Sequence, residues 1–144
     1  MSRHAQGLVA LLVASVASSA WAAEPIAVTL CDLSSAPHKY EGILIRVHAR
    51  VMSDALERTV LVDVNPTCRF GGAGFAVAPG VSDPAIDTIT NAIFSGRHPG
   101  TRNKFIRGDF VGIFRLTAEA APMREIEIRS LSNLKITFFG DQRK

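Results

Sequence analysis

The sequence has few aromatic residues and few cysteines. Its 144 residues include one tryptophan, one tyrosine and two cysteines. A chain with so few rings has little to offer for stacking against nucleic-acid bases, so the composition gives nucleic-acid binding only weak support. The two cysteines are not a C-x-x-C redox pair, and no closely spaced histidines accompany them, so a zinc site is not indicated either.

Long apolar runs are also scarce, and the one that stands out covers residues 7 to about 17. It is shorter than the ~20 residues that a membrane-spanning helix needs. It follows a basic start and leads to Ala20-Trp21-Ala22, which fits a signal-peptidase site. We therefore predict a signal peptide over residues 1–22. The alternative, a buried N-terminal helix, lacks a cap and a polar face.

Cleavage at this site would leave one domain over residues 23–144, periplasmic or secreted, with no membrane span. Its length suits a single core. Of the 16 lysines and arginines only Arg3 lies in the predicted leader, so 15 remain against 13 acids, a formal net charge of +2. That balance permits contact with anionic partners, although dedicated nucleic-acid binders concentrate more positive charge.

The two cysteines, Cys31 and Cys68, both lie in the predicted mature domain. An even number of cysteines in an exported domain indicates a disulfide. The pair is separated by 37 positions, and closing a loop of that length stabilises a fold by roughly 3–4 kcal/mol. We predict a structural Cys31–Cys68 bridge.

Alternating apolar and polar residues predict several strands. The longest alternation covers residues 43–52 and places Ile45, Val47, Ala49 and Val51 on one face. A helix is indicated between Asp83, a suitable N-cap, and Gly96, with Ile86, Ile89, Ile93 and Phe94 on its apolar stripe. The further predicted strands are residues 59–64, 75–78, 105–116 and 125–130, the last with an extension over 134–139 beyond a bulge near Ser132-Asn133.

The predicted order is therefore strand, strand, strand, helix, strand, strand. This is the order of a mainly β, five-stranded Greek-key barrel of the oligonucleotide/oligosaccharide-binding (OB) type, in which the helix joins strands three and four. A barrel of this kind leaves no long unpaired strand edge. The alternative is an open antiparallel sheet with one helix on its face.

The stretch from Leu33 to Val51 is similar to the start of small exported bacterial proteins with an OB-like barrel, a group that is uncharacterised. The matching residues are Leu33, Pro37, Tyr40, Gly42, Val47 and Val51, whereas Ala49 stands where such chains more often have glycine. The segment Gly108 to Gly112 resembles their fourth strand, and Cys68 follows strand two as in exported members. The resemblance implies the fold and brings no catalytic residues with it.

Two groups of basic residues are candidates for binding. Arg46, His48 and Arg50 alternate along one strand face, about 7 Å apart. The loop after the helix contains Arg97, His98, Arg102 and Lys104 and no acid. Each group has a plainer interpretation: the strand residues as a solvated face paired with Glu125 and Glu127, and the loop residues as an ordinary surface.

The sequence contains no motif of nucleophilic catalysis and no phosphate-binding loop, since the glycines at 71, 72 and 74 are not followed by Gly-Lys-Ser/Thr. No cofactor or metal is predicted. The sequence predicts a non-catalytic binding module of the cell envelope, whose partner is an envelope protein or a polyanion. The alternative is a small secreted enzyme or enzyme inhibitor with a pocket that the sequence does not identify.

Overall fold

The computed structural model describes residues 23–68, 72–118 and 124–139, so the predicted signal peptide lies outside the described residues. The described part of the chain is mainly β, with six strands and three helices. In chain order these are β1 (Ile26–Ala27), α1 (Leu30–Ser35), α2 (Pro37–Tyr40), β2 (Leu44–Ser53), β3 (Thr59–Asp63), β4 (Gly72–Val77), α3 (Pro84–Phe94), β5 (Lys104–Leu116) and β6 (Arg124–Phe138).

The strands form one mixed sheet in the order β1-β2-β3-β4-β6-β5. Because β2 also pairs with β5, the five strands β2, β3, β4, β6 and β5 pair in a closed ring. β1 pairs with β2 and β4 pairs with β6 in parallel, whereas the other pairings are antiparallel. Most of the backbone pairing capacity of the long strands is therefore used within the sheet.

The five predicted strands and the helix are present in the predicted order, with some differences in their bounds. The short strand β1 was not predicted, because two residues are too few to show alternation. β4 begins at Gly72 rather than Phe75. The two predicted C-terminal pieces form one strand, β6. The register of β6 with β5 shifts between residues 132 and 135 of β6, and Asn133 in this stretch has a φ of 52°.

The core lies inside the ring of strands. β2 contributes Ile45, Val47, Ala49 and Val51, as the alternation predicted, and all four are fully buried. Ile86, Ile89 and Ile93 of α3 pack into the same core. Phe94 was predicted on this stripe, and that prediction is wrong: its side chain is 57% exposed. It is the last residue of the helix, one position past the buried Ile93.

The N-terminal helices are held to the sheet by a disulfide between Cys31 in α1 and Cys68 after β3, with the two Cα atoms 5.8 Å apart. The predicted bridge is confirmed. Thr29 is the N-cap of α1, and Asp32 completes a capping box by accepting from the Thr29 backbone N–H.

Strands β5 and β6 cross closely at Gly112. A Cβ atom added there would lie 2.3 Å from the backbone oxygen of Glu127, closer than non-bonded atoms can approach. The sheet register shifts at this point, between Val111 and Gly112. Glycine at this position therefore lets the two backbones come together.

Candidate functional site

A cleft of about 780 Å³ lies between the β2–β3 connection and the loop that leads from α3 into β5. Its walls carry four arginine side chains, from Arg50 at the end of β2, Arg58 before β3, and Arg97 and Arg102 in the later loop. The other lining residues are Met52, Ser53, Asp54, Leu56, Val60, His98, Pro99, Thr101 and Asn103. The cleft thus gathers basic side chains from two segments of the chain about 40 residues apart in the sequence.

Backbone contacts hold the two loops together. The Thr101 N–H donates to the Ser53 carbonyl, and the Ser53 N–H donates to the Thr101 hydroxyl, both at 3.0 Å. Gly100 has a φ of 80°, and a Cβ atom there would lie 2.8 Å from the Ser53 carbonyl oxygen. These bonds fix the loops against each other, so the arginines project from a connected frame rather than from independent loops.

Asp54 is the one acidic side chain among the described lining residues, and the turn that follows it uses its carboxylate. Asp54 Oδ1 accepts hydrogen bonds from the backbone N–H groups of Leu56, Glu57 and Arg58. The bond from Arg58 is the largest cause that holds the pKa of this carboxyl below its ordinary value. Asp54 therefore shapes the turn as an ionised carboxylate, and its single negative charge leaves the four arginines of the described lining in excess.

Arg50 is half-buried, whereas the other three arginines are exposed. Its guanidinium carbon lies 4.8 Å from the centre of the Phe105 ring. Among the described residues its Nε has no hydrogen-bond partner although it is buried, and Asn103 Oδ1 in the same cleft is in the same state. A buried donor without an acceptor costs about 1–3 kcal/mol, and an acceptor bound in the cleft would remove this cost.

The predicted row on β2 divides between two environments. Arg50 lines the cleft, whereas Arg46 lies four residues away and is exposed. His48 is 48% exposed, and its Nδ1 lies 2.6 Å from Oδ1 of Asp109 on β5. The alternative pairing of this row with Glu125 and Glu127 is wrong, because β2 pairs with β3 and β5 and not with β6. Glu127 instead pairs with Arg115 and Arg129.

The predicted loop residues also lie in two different environments. Arg97, His98 and Arg102 line the cleft, as a binding loop requires. Lys104, the fourth predicted binding residue, is only 4% exposed, and its Nζ donates to the carbonyls of Ala92 and His98. Ala92 lies in the last turn of α3, where a cation stabilises the helix dipole. We assign Lys104 a structural role and leave it out of the site.

Sequence reasoning missed Arg58, which lines the cleft, and two further basic residues, Arg107 and Lys135. Arg107 faces Arg50 across β2 and β5, and Lys135 faces Arg107 across β5 and β6. No local pattern could have found them, because cross-strand partners are set by register. The sequence did contain the alternation that places Arg107 outward on β5.

Comparison with models of known protein families, with curated proteins and with solved structures finds no match for this chain. The site is therefore interpreted from its own geometry.

Three side chains with metal-ligating atoms lie together at one place in the described residues. Ligand atoms of Cys31, Asp63 and Cys68 lie within 4.8 Å of one another. The two sulfurs are joined in the disulfide, so they are not available as thiolate ligands. The two cysteines lie together because the disulfide joins them.

No helix in the described ranges is both long and apolar enough to cross a membrane.

Asp109 joins two strands through its carboxylate: Oδ1 contacts His48, and Oδ2 accepts from the side-chain amide of Asn133 at 2.6 Å. The Asn133 hydrogen bond, followed by those with His48, holds the pKa of Asp109 below its ordinary value of 3.8, against the effect of burial. A carboxyl with a lowered folded-state pKa stabilises the fold above its unfolded-state pKa, and the stabilisation is lost as pH falls through the folded-state pKa.

We expect Asn133→Gly to raise the pKa of Asp109, because it removes the amide donor while suiting the positive φ at this position. The protein should be more stable than this variant above about pH 5. The difference should shrink as pH falls below 3.8 and through the lowered folded-state pKa of Asp109. Urea unfolding at several pH values and an NMR titration of the Asp109 carboxyl measure both effects. An unchanged titration would show that Asn133 does not hold this carboxylate.

Proposed function

We propose that this chain is an exported, non-catalytic binding module of OB-like fold that binds an anionic ligand in the arginine-lined cleft. The observation that carries the proposal is the convergence of Arg50, Arg58, Arg97 and Arg102 on one cleft whose described lining includes a single acidic residue. Guanidinium groups suit bidentate contacts with phosphate, sulfate or carboxylate groups. The electrostatics of the cleft therefore favour an anion over a neutral ligand.

The OB-like assignment is supported by the order of strand pairing. A Greek-key barrel of five strands has a long first strand that pairs on both sides and a helix between strands three and four. Here β2 pairs with both β3 and β5, and α3 connects β4 to β5. In this assignment β1 is an addition to the basic five strands. The similarity of Leu33 to Val51 to exported bacterial proteins of this fold points the same way.

Export to the periplasm or the medium is part of the proposal. The disulfide supports it, because such bridges persist in oxidising compartments. The N-terminal sequence pattern supports it independently. The cleft suits an anionic surface of an envelope protein as well as it suits a polyanion.

One observation favours the alternative of a small secreted enzyme. Asp109 fixes one imidazole nitrogen of His48, which leaves Nε2 directed away from that bond, as in sites where a histidine acts as a base. Nucleophilic catalysis would further require a positioned nucleophile, and we assign none among the described residues. The binding function therefore remains the better supported proposal.

The test is retention of the purified protein on heparin and on single-stranded DNA columns between low and high salt. We expect retention that weakens steeply with salt, because each cation that contacts the ligand releases counterions. The double variant Arg97→Ala/Arg102→Ala should elute at clearly lower salt.

The matched control is Arg115→Ala/Arg129→Ala, which removes the same charge from the residues that pair with Glu127. It should elute close to the unmodified protein. Equal effects of the two double variants would show that net charge rather than the cleft causes retention. Free passage of the unmodified protein through both columns would overturn the proposal of a polyanionic ligand and leave a protein partner.

A further inference from the structure

The turn that links β2 to β3 carries an apolar side chain in full contact with water. Leu56 is 88% exposed, more than any other large apolar side chain in the described part of the chain. Met52, which precedes the turn and lines the same cleft, is 41% exposed. Single exposed apolar residues are normal on a protein surface. Here two of them lie at one side of the same cleft, which is typical of a contact surface.

A third exposed apolar side chain lies next to the other side of the cleft. Phe139, which follows β6, is 57% exposed. Its backbone N–H donates to the carbonyl of Asn103 at 2.9 Å, and Asn103 lines the cleft. Apolar side chains therefore border the cleft on the side of the β2–β3 turn and on the side of the later loop. We call Met52, Leu56 and Phe139 the apolar rim.

The turn that presents Leu56 is fixed by its own hydrogen bonds. The Asp54 carboxylate accepts from the backbone N–H groups of Leu56, Glu57 and Arg58. A backbone that is ordered before binding loses less entropy when the turn enters a contact. The Leu56 side chain is therefore held ready on a defined turn.

Arginines of the cleft lie beside the apolar rim. The segments 50–58 and 97–103 contain four arginines and two acids, Asp54 and Glu57, which leaves two positive charges in excess. Three of the arginines are exposed. The buried Nε of the fourth, Arg50, has no partner among the described residues, and an oxygen of a bound anion would accept from it. Guanidinium groups are weakly hydrated and suit bidentate contacts with phosphate, so these side chains fit a phosphate-bearing surface.

We propose that this side of the protein docks on a membrane surface that contains anionic phospholipids. The arginines contact lipid phosphates, and Leu56 inserts between the headgroups. This inference rests on the proposed function, because it names the anionic ligand of the cleft. Interfacial binding combines buried apolar area with attraction to anionic lipids, and the apolar rim and the arginines supply both. A soluble polyanion would use the arginines but offers no apolar interior to Leu56.

Co-sedimentation with lipid vesicles tests the proposal. One set of vesicles contains equal parts of phosphatidylcholine and phosphatidylglycerol, and the other contains phosphatidylcholine alone. We expect the exported protein to bind the anionic vesicles, to be released as salt rises, and not to bind the neutral vesicles. Arg97→Ala/Arg102→Ala should weaken binding about 25-fold, since each basic residue near an anionic membrane contributes about fivefold. Arg115→Ala/Arg129→Ala, which removes the same charge from the partners of Glu127, should have a much smaller effect.

Leu56→Ser tests the apolar contact separately. We expect about tenfold weaker binding to the anionic vesicles, because the variant no longer removes a leucine side chain from water. Its retention on heparin should be unchanged. Val64→Ser is the matched control: Val64 is also exposed, at 42%, but it follows β3, whereas the turn with Leu56 precedes that strand. The control should bind vesicles as the unmodified protein does.

Leu56→Trp measures the insertion directly. The one tryptophan of the sequence, Trp21, lies in the predicted signal peptide, so the introduced indole is alone in the exported protein. Its fluorescence should shift to shorter wavelength when anionic vesicles are added. The fluorescence of Val64→Trp should not shift.

The outcomes separate the two proposals. Heparin retention without vesicle binding would overturn the membrane inference and leave a soluble polyanion as the ligand of the cleft. Vesicle binding that Leu56→Ser does not weaken would also overturn the inference, because adsorption by charge alone needs no apolar rim. Equal binding to neutral and anionic vesicles would overturn it as well. Absence of both vesicle binding and heparin retention would overturn the inference and the proposed anionic ligand together.

Discussion

Replacing Gly112 with alanine is expected to lower the free energy of unfolding by about 3 kcal/mol. The added methyl group would lie 2.3 Å from the backbone oxygen of Glu127 and 2.9 Å from Cγ2 of Ile126. A flexible side chain could move away, but the Glu127 oxygen is part of the paired backbone of β6. The two strands must therefore separate at this point, which disturbs the core around the fully buried Phe114 and Ile126.

Urea unfolding monitored by circular dichroism measures this effect. Gly72→Ala is the matched control, because it also adds one methyl group to a strand glycine, but at an ordinary contact distance of 3.6 Å from the Leu61 oxygen. The control should leave stability unchanged or raise it by up to about 1 kcal/mol. Similar stabilities for the two variants would contradict the close approach of β5 and β6.

The second large effect is expected from loss of the Cys31–Cys68 bridge. The bridge closes a loop of 37 positions, so its removal should cost roughly 4 kcal/mol through the greater freedom of the unfolded chain. We expect Cys31→Ala/Cys68→Ala to unfold at much lower urea concentration than the oxidised protein. α1 should be affected most directly, because Cys31 lies within that helix.

The unmodified protein in excess reductant should approach the stability of the double alanine variant, and the variant itself should not respond to reductant. Mass spectrometry of the oxidised protein should find no free thiol. A double variant as stable as the oxidised protein would mean that the bridge constrains little and that packing of Leu30 and Leu33 alone holds the N-terminal helices.

Alternation along the chain predicted most of the sheet, because each buried face follows from residues two apart. Val47, Ala49 and Val51 could be assigned to the core from their own strand alone. Residues at the ends of elements were assigned less well. Phe94 and Phe139 continue an apolar sequence pattern. Each lies at the end of its helix or strand, however, and its side chain is exposed rather than packed in the core.

The candidate site was only partly predictable for a related reason. The basic loop from Arg97 to Arg102 is visible as a run of like charges, but its contact with Ser53 depends on a backbone approach between segments 48 residues apart. Arg107 was missed because its cross-strand neighbours are set by register, and Arg58 because its place in the cleft depends on the approach of two distant segments. Lys104 was wrongly predicted to bind a ligand, because its sequence neighbours do not indicate that its Nζ contacts the helix carbonyl of Ala92.

The pairing of β6 has a consequence for the time at which the molecule can fold. β6 is the last strand, and it lies between β4 and β5 in the ring. Until the ribosome has added residues 124–138, both neighbouring strands have an unpaired edge, and the core residues of β5 have no cover on that side. A nascent chain that ends before β6 therefore remains open and accessible to chaperones, and the native sheet forms only after synthesis of its final strand.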